Sequence, residues 1–471
     1  MKPTSTEAKP KQPLELVRAL GAWAAAAIVV GTMIGTGIFL KPAEMAREAG
    51  STSIVFAAWI VGGVLSMFGA LSFAELGAAI PEAGGEYAYL RRGFGPVWGY
   101  IFGWTHSIVG RPASTASIAA GLLRFIGFLF PIVSAPLYTF HFQLPFFANH
   151  PSEFIFTWAQ PLAVGALLLL TFINYLGVRL GGQVQIALTF IKIASVVAII
   201  VFGFAFSHGS ASNFQPIWQK APGFGTLTGF LAALAAALWV FDGWEDVNLV
   251  GSEISNPGRN IPRALIGGVA FVIVLFSLVS AVCFYTLPFG VVASSQHIAS
   301  DVVESFAGRG AALWITLAMI VSALGTLNSS VLSGARVDYA MARDGLFFRF
   351  AAAIHPKFRT PGNALIFQCI LASLMALTGT FEDLTSLFIF AGWIFYGLAV
   401  VAMLRLRRTE PNMPRPYRTW GYPVVPVVFV IGALALTISI WVQRPVRSSI
   451  GVALMFVGLI FYRHWQKRLP A

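Results

Sequence analysis

Twelve stretches of this chain are long and apolar enough to cross a lipid bilayer, far more than a soluble core of 471 residues can hide. They cover approximately 19–40, 52–80, 97–128, 156–177, 183–207, 227–252, 262–287, 310–341, 363–380, 384–406, 423–442 and 447–464. Each supplies about the 20 mainly apolar residues that a spanning helix needs. Charged residues make up only 11% of the chain, against roughly a quarter in soluble domains. The expected fold is an all-α membrane protein of twelve transmembrane helices, with the lipid bilayer as its solvent. One transmembrane domain, 19–464, lies between polar tails at 1–18 and 465–471. The first tail contains Pro3, Pro10 and Pro13 and does not read as a cleavable signal, because the apolar stretch after it continues into further spans.

A net charge of +12 invites a nucleic-acid partner, so the placement of the 31 basic residues matters. With the amino end inside, 22 of them fall on the inner side and seven on the outer side or its flanks, Lys41 and Arg47 among the latter. That bias gives an amino-in, carboxyl-in topology. It also accounts for the charge through anionic headgroups rather than nucleic acid. Cys283 and Cys369 sit in apolar runs, which argues against a disulfide framework or a thiolate metal site. The chain has no GxxxxGK[ST], no HExxH and no GxSxG, and Gly93-Phe94-Gly95 followed by Gly99 misses the GxGxxG spacing. An enzyme is therefore not expected, and neither is a cofactor or a metal. The one Asn-x-Ser/Thr match, Asn328-Ser329-Ser330, lies inside the eighth span, and the lack of usable sequons favours a bacterial inner membrane.

Two spans carry breaks that a membrane anchor does not need. Gly31-Thr32-Met33-Ile34-Gly35-Thr36-Gly37 interrupts the first, where each glycine weakens a helix by about 1 kcal/mol relative to alanine. Trp239-Val240-Phe241-Asp242-Gly243-Trp244-Glu245-Asp246 interrupts the sixth with three carboxylates, each costing roughly 2.5–3.5 kcal/mol at a helix centre. Close helix packing of the small-xxx-small kind is the bland explanation for one such glycine run. Two breaks at matching places, each opening a block of five spans, point instead to inverted repeats around a midplane site. Unwinding frees N–H groups near Thr36, Gly37 and Ile38 and carbonyls on span one and residues 239–241. Such a pair of poles suits a zwitterion.

Other polar residues within spans carry two readings each. Lys192 either snorkels to the inner surface or stands as a fixed ammonium on the carbonyls of the broken first helix, in place of a bound cation and as a proton carrier. Arg111, before Pro112, reads as a structural cation paired inside the bundle. Glu75 is either a core partner or a gate. His106 reads as a satisfied core residue, and Trp239 as aromatic packing or a lid.

Several of these segments resemble the amino acid–polyamine–organocation superfamily: Gly31-Thr-Met-Ile-Gly-Thr-Gly-Ile-Phe39, Pro81-Glu-Ala-Gly-Gly-Glu-Tyr-Ala-Tyr-Leu90 and Asn256-Pro257-x-Arg259-Asn260-x-Pro262. Arg111-Pro112-Ala-Ser114, Val178-Arg-Leu-Gly181, Asp242-Gly-Trp244 and Ala342-Arg343-Asp344-Gly345 are similar to its L-type amino acid transporter branch. The match runs from about residue 20 to 420. The resemblance implies a LeuT-like fold with a 5+5 inverted repeat (19–207 and 227–406), broken helices 1 and 6, and two further helices at 423–464. It also implies sodium-independent exchange of amino acids by alternating access. Carried over, the substrate carboxylate would meet Met33, Thr36 and Gly37, and the amino group would meet the carbonyls of Trp239, Val240 and Phe241. Trp239 would be the gate, and Lys192 would replace sodium. With Ile34, Gly35, Asp242 and Glu245 these make up the expected site. Glu245 departs from the asparagine common in the family one residue after the tryptophan. Animal members bind a heavy chain through a cysteine between spans three and four; loop 129–155 has none, so no disulfide-linked partner is expected. The expected cargo is a small neutral L-amino acid. A cationic amino acid or polyamine carrier is the alternative, and a non-transporting sensor or membrane-embedded enzyme a further one.

Overall fold

The computed structural model describes residues 15–142, 152–218, 225–308, 310–378, 381–443 and 445–466. Most of the expected amino-terminal tail and the end of the carboxyl-terminal one lie outside the described residues.

The chain opens with α1 (Ala22–Met33), α2 (Lys41–Ala49), α3 (Thr52–Ala79) and α4 (Glu86–Phe94). Next, α5 (Pro96–Trp104) and α6 (Arg111–Leu129) join through a π-turn at Thr105–Gly110 into one 34-residue rod. A hairpin of β1 (Pro136–Phe142) and β2 (Ser152–Thr157) precedes α7 (Ala159–Tyr175) and α8 (Val178–Phe206). Then come α9 (Gly225–Val240), α10 (Asp246–Leu249), α11 (Pro257–Thr286), α12 (Phe289–Ser294), α13 (Ile298–Ala307) and α14 (Ala311–Arg343). The last four are α15 (Gly362–Thr378), α16 (Phe381–Thr409), α17 (Val424–Gln443) and α18 (Pro445–Gln466).

Among the described residues six helices are long and apolar enough to cross a membrane: α3, the α5–α6 rod, α8, α11, α14 and α17. Four shorter apolar helices, α1, α7, α9 and α15, fall below that length. The protein is thus a mostly helical, multi-pass membrane protein. Its lipid-facing surface is recognisable from side chains that no soluble protein would expose together. Phe190, Val274, Leu374, Ile431 and Ile460, on five different helices, are each more than half exposed.

Three departures from the sequence reading have physical causes. The first span does not end at residue 40: beyond the break it resumes as α2 and stops at Gly50, because Lys41–Ala49 is amphipathic rather than apolar. The fold is not purely α, since the aromatic and β-branched stretches around Tyr138–Phe142 and Phe154–Thr157 pair antiparallel, Tyr138 opposite Phe156 and Phe140 opposite Phe154. The first inner loop contains α4, whose first residue, Glu86, is buried.

The two broken helices form the centre. α1 packs on α8, α11 and α14, and α9 packs on α2 and α3. α1 and α9 show little amphipathic bias, as expected of helices surrounded by protein.

Candidate functional site

At the first break the chain leaves helical geometry at Ile34 (ψ 76°) and re-forms as a short 3₁₀ turn, Gly37–Phe39. At the second, Gly243 adopts φ +98°, a conformation that residues with a Cβ rarely take. The breaks touch each other, because a Cβ on Gly243 would lie 2.5 Å from Cγ2 of Thr32. Outside the helices, no backbone hydrogen bond among the described residues starts from the N–H groups of Thr36, Gly37 and Ile38 or ends on the carbonyls of Val240 and Phe241. The Trp239 carbonyl takes the Asp242 N–H at 3.4 Å. Of these residues, Thr36, Gly37 and Val240 line one space between the breaks.

Lys192, on α8 and 1% exposed, reaches the back of the first break. Its Nζ donates to the carbonyls of Gly31 (2.5 Å) and Ile34 (2.9 Å) and to Oγ1 of Thr326 (2.9 Å). All three ammonium hydrogens are thereby used. Gly325 lets the lysine stem pass, since a Cβ there would meet Cε at 2.6 Å. One turn away, Gln185 and Thr189 donate to the Ala27 carbonyl, at 3.2 and 3.1 Å.

Between the breaks lies a cavity with an interior of about 100 Å³. Eight of the ten expected substrate residues line it: Met33, Gly35, Thr36, Gly37, Trp239, Val240, Asp242 and Glu245. Ile34 and Phe241 do not. Ile34 is fully buried with its carbonyl turned to Lys192. Phe241 points away, its ring 5.5 Å from that of Trp59 and 5.4 Å from that of Phe276. Trp239 closes against the first break, so that a Cβ on Gly37 would lie 2.8 Å from its ring. Lys41 Nζ stands 4.7 Å from the Trp239 ring centroid while bonding Glu44 at 2.5 Å.

The far wall comes from helices outside the two breaks. Arg111 makes a two-pronged pair with Asp246, Nη2 to Oδ1 at 2.5 Å and Nη1 to Oδ2 at 3.3 Å. The Arg111 Nε donates to His106 Nε2 at 3.4 Å. Ser114, Ser117, Thr326 and Ser330 complete the polar lining. Tyr396 hydroxyl lies 2.6 Å from Glu245 Oε1 and 3.1 Å from Asp242 Oδ1. Glu75 is a core partner, held by Arg407 (Nε to Oε1, 2.8 Å) and by the Thr419 N–H (2.7 Å). Among the described residues no group of His, Cys, Asp and Glu is arranged to hold a metal ion.

The sequence reading passed over Ser114, Ser330 and Tyr396. A signal for the first two was present. Arg111, Ser114 and Ser117 recur at helical spacing, as do Ser322, Thr326, Ser330 and Ser333, and a polar stripe on an apolar helix must face protein or water. Tyr396 had no such signal, because an isolated tyrosine in an apolar run looks like packing.

A model of the family described as amino acid permease matches residues 20–462. The chain belongs to this amino acid permease family. The permease is similar to the serine/threonine exchanger SteT of Bacillus subtilis (strain 168), 30% identical over 456 residues covering 96% of this chain and 98% of that protein. It is likewise similar to the b(0,+)-type amino acid transporter 1 of Mus musculus, 31% identical over 97% of this chain and 90% of that one. The large neutral amino acids transporter small subunit 2 of Mus musculus is 31% identical over 96% of the permease and 82% of its own length.

Proposed function

We propose that this permease is a sodium-independent antiporter that exchanges small neutral L-amino acids across a bacterial inner membrane by alternating access. The observation that carries the reading is Lys192. Its ammonium occupies the carbonyls of the first break, where a cation-coupled carrier would hold its ion. The N–H groups of Thr36, Gly37 and Ile38 receive the substrate carboxylate, favoured by the positive pole of the following helix turn. The carbonyls of Val240 and Phe241 receive the ammonium, and Trp239 covers the bound molecule. In this reading Met33 contributes its side chain, as it closes α1 and its own N–H belongs to that helix.

The same reading takes the twelve helical segments as twelve spans in a LeuT-like arrangement, repeat one 19–207, repeat two 227–406 and the pair 423–464. Both ends face the cytoplasm, and no disulfide-linked heavy chain is needed. The paired, touching breaks support it.

One observation favours a second cargo. Arg111 is spent on Asp246, so Asp242 and Glu245 have only Tyr396 between them, a surplus of negative charge that suits a cationic side chain. Counterflow in proteoliposomes with labelled alanine, serine and arginine separates the two. Alanine and serine exchange without sodium is expected. Arginine uptake that is lost in Asp242→Asn while alanine exchange persists would assign the permease to cationic cargo, and no exchange of any substrate would overturn both.

A further inference from the structure

At the end of the bundle that faces outward in the proposed topology, α2, α6, α13 and α14 enclose a further chamber with an interior of about 200 Å³. One water needs only about 10–15 Å³ of such space, so a polyatomic ion fits with its hydration. The polar lining includes Glu44 and Arg47 of α2, Arg124 of α6, His297 just before α13 and Ser300 in its first turn. Phe125 and Phe128 of α6 supply an apolar wall, and the His297 ring lies 5.7 Å from that of Phe128.

The charges around this chamber do not balance. Glu44 is the one carboxylate in its lining, and it is spent on Lys41 at 2.5 Å. Asp301, beside Ser300, instead accepts from the Ser295 hydroxyl at 2.5 Å. Arg47 donates Nη1 to the carbonyls of Ala293 and Ser295, at 3.0 and 3.3 Å, and among the described residues its Nε and Nη2 go to nothing. Arg124 has neither a hydrogen bond nor an ion pair among them. A single arginine that snorkels at a span end is ordinary. Two of them, brought by different helices to one chamber with no carboxylate for either, repel each other, and an anion between them removes that cost.

We propose that this chamber binds a phosphate-type oxyanion between the guanidinium groups of Arg47 and Arg124, either free phosphate or the phosphodiester of an anionic lipid headgroup. A guanidinium fork offers parallel N–H groups that match two oxygens of one phosphate, whereas a single-atom anion leaves that match unused. The start of α13 adds its positive pole, and the Ser300 hydroxyl adds a donor. Phe125 and Phe128 give a glycerol or acyl stem an apolar bed, and basic pockets between spanning helices are where acidic headgroups lodge. A bound anion links α2, the segment beyond the first break, to α6 and α13. Its binding does not depend on which amino acid is exchanged, nor on exchange itself.

The test uses purified full-length protein in a non-ionic detergent, with dioleoyl phosphatidylglycerol and inorganic phosphate as probes. Dioleoyl phosphatidylcholine and sodium chloride of equal ionic strength are the respective controls. At least one probe is expected to raise the melting temperature by about 2 °C or more over its control. Arg124→Gln, which breaks no hydrogen bond among the described residues, is expected to weaken that binding at least about fivefold, and Arg47→Gln to do the same. Stabilisation by phosphatidylglycerol alone assigns the chamber to a lipid headgroup, and stabilisation by phosphate, with or without the lipid, assigns it to the free oxyanion as well. Failure of both probes against their controls in the wild type would overturn the site. Binding of equal strength in the wild type and both variants would overturn it too, by placing the anion elsewhere.

Discussion

In the proposed exchanger, Lys192 stands where a cation-coupled carrier would hold its ion. A lysine in the apolar run Phe190-Ile191-Lys192-Ile193 is either carried to an interface by its own stem or fully paired inside. Three acceptors at 2.5 to 2.9 Å and an exposure of 1% select the second. The ammonium fixes the carbonyls of Gly31 and Ile34, which are the end of α1, but does not line the substrate cavity. Its role is therefore to position the break. Lys192→Ala would leave those carbonyls without their charged donor, while the N–H groups of Thr36 to Ile38 stay where they are. We expect alanine exchange to fall about tenfold or more while equilibrium alanine binding changes by less than about threefold, read by counterflow beside scintillation-proximity binding. Exchange at the wild-type rate would leave Lys192 with a purely structural role.

The two breaks depend on each other as elements, and that dependence was the part least legible beforehand. The glycines and carboxylates marked α1 and α9 as interrupted because they recur at matching places in the two blocks of five spans, which helix packing alone does not require. Counting apolar runs found the helices to within about five residues except at the ends of α1 and α9, which stop at Met33 and Val240 rather than at 40 and 252, and it missed α2, α4 and the hairpin, which are amphipathic or aromatic and lack long apolar runs. The contacts between breaks are long-range and have no local sequence signal. Thr32 fills the space that Gly243 leaves, and Trp239 fills the space beside Gly37. Nor could spacing reveal that Phe241 turns toward Trp59, because an unwound segment has no helical period to read. Gly243→Ala meets two penalties, a φ of +98° and a contact of 2.5 Å with Thr32, whereas Gly95→Ala meets a similar φ of +102° with open space around it. The pair separates strain from collision. Gly95→Ala is expected to cost about 1–3 kcal/mol of stability and leave exchange near wild type, and Gly243→Ala to lower exchange at least about tenfold. Equal exchange in the two variants, measured at matched amounts of folded protein, would dismiss the contact between breaks as a functional element.

Across the whole molecule, one set of contacts ties four separate elements together. Leu20, before α1, pairs in parallel with Ile254, its N–H on the Glu253 carbonyl and its carbonyl on the Ser255 N–H, each at 2.9 Å. Glu253 is gripped by Arg336 of α14, Nε to Oε2 at 2.7 Å and Nη2 to Oε1 at 3.1 Å, with both side chains almost fully buried. Beside them the Gly84 N–H bonds the Leu249 carbonyl, and Arg91 of α4 spans Glu82 and Asp344. The basic-residue bias makes this the cytoplasmic end in the proposed topology. Alternating access requires that this end part while the substrate remains between the breaks, so the strap between Leu20 and Ile254 must break once per cycle. Residues paired across a bridge are close enough for a disulfide. The two native cysteines, Cys283 and Cys369, are buried and free, which leaves an introduced pair as the accessible thiols. Leu20→Cys with Ile254→Cys, oxidised to completion in proteoliposomes, is expected to lower alanine counterflow at least about tenfold, and reduction is expected to restore it. Each single variant should exchange in both redox states. Undiminished counterflow through a fully formed cross-link would mean that this end does not open, and the route of the substrate would have to lie elsewhere in the bundle.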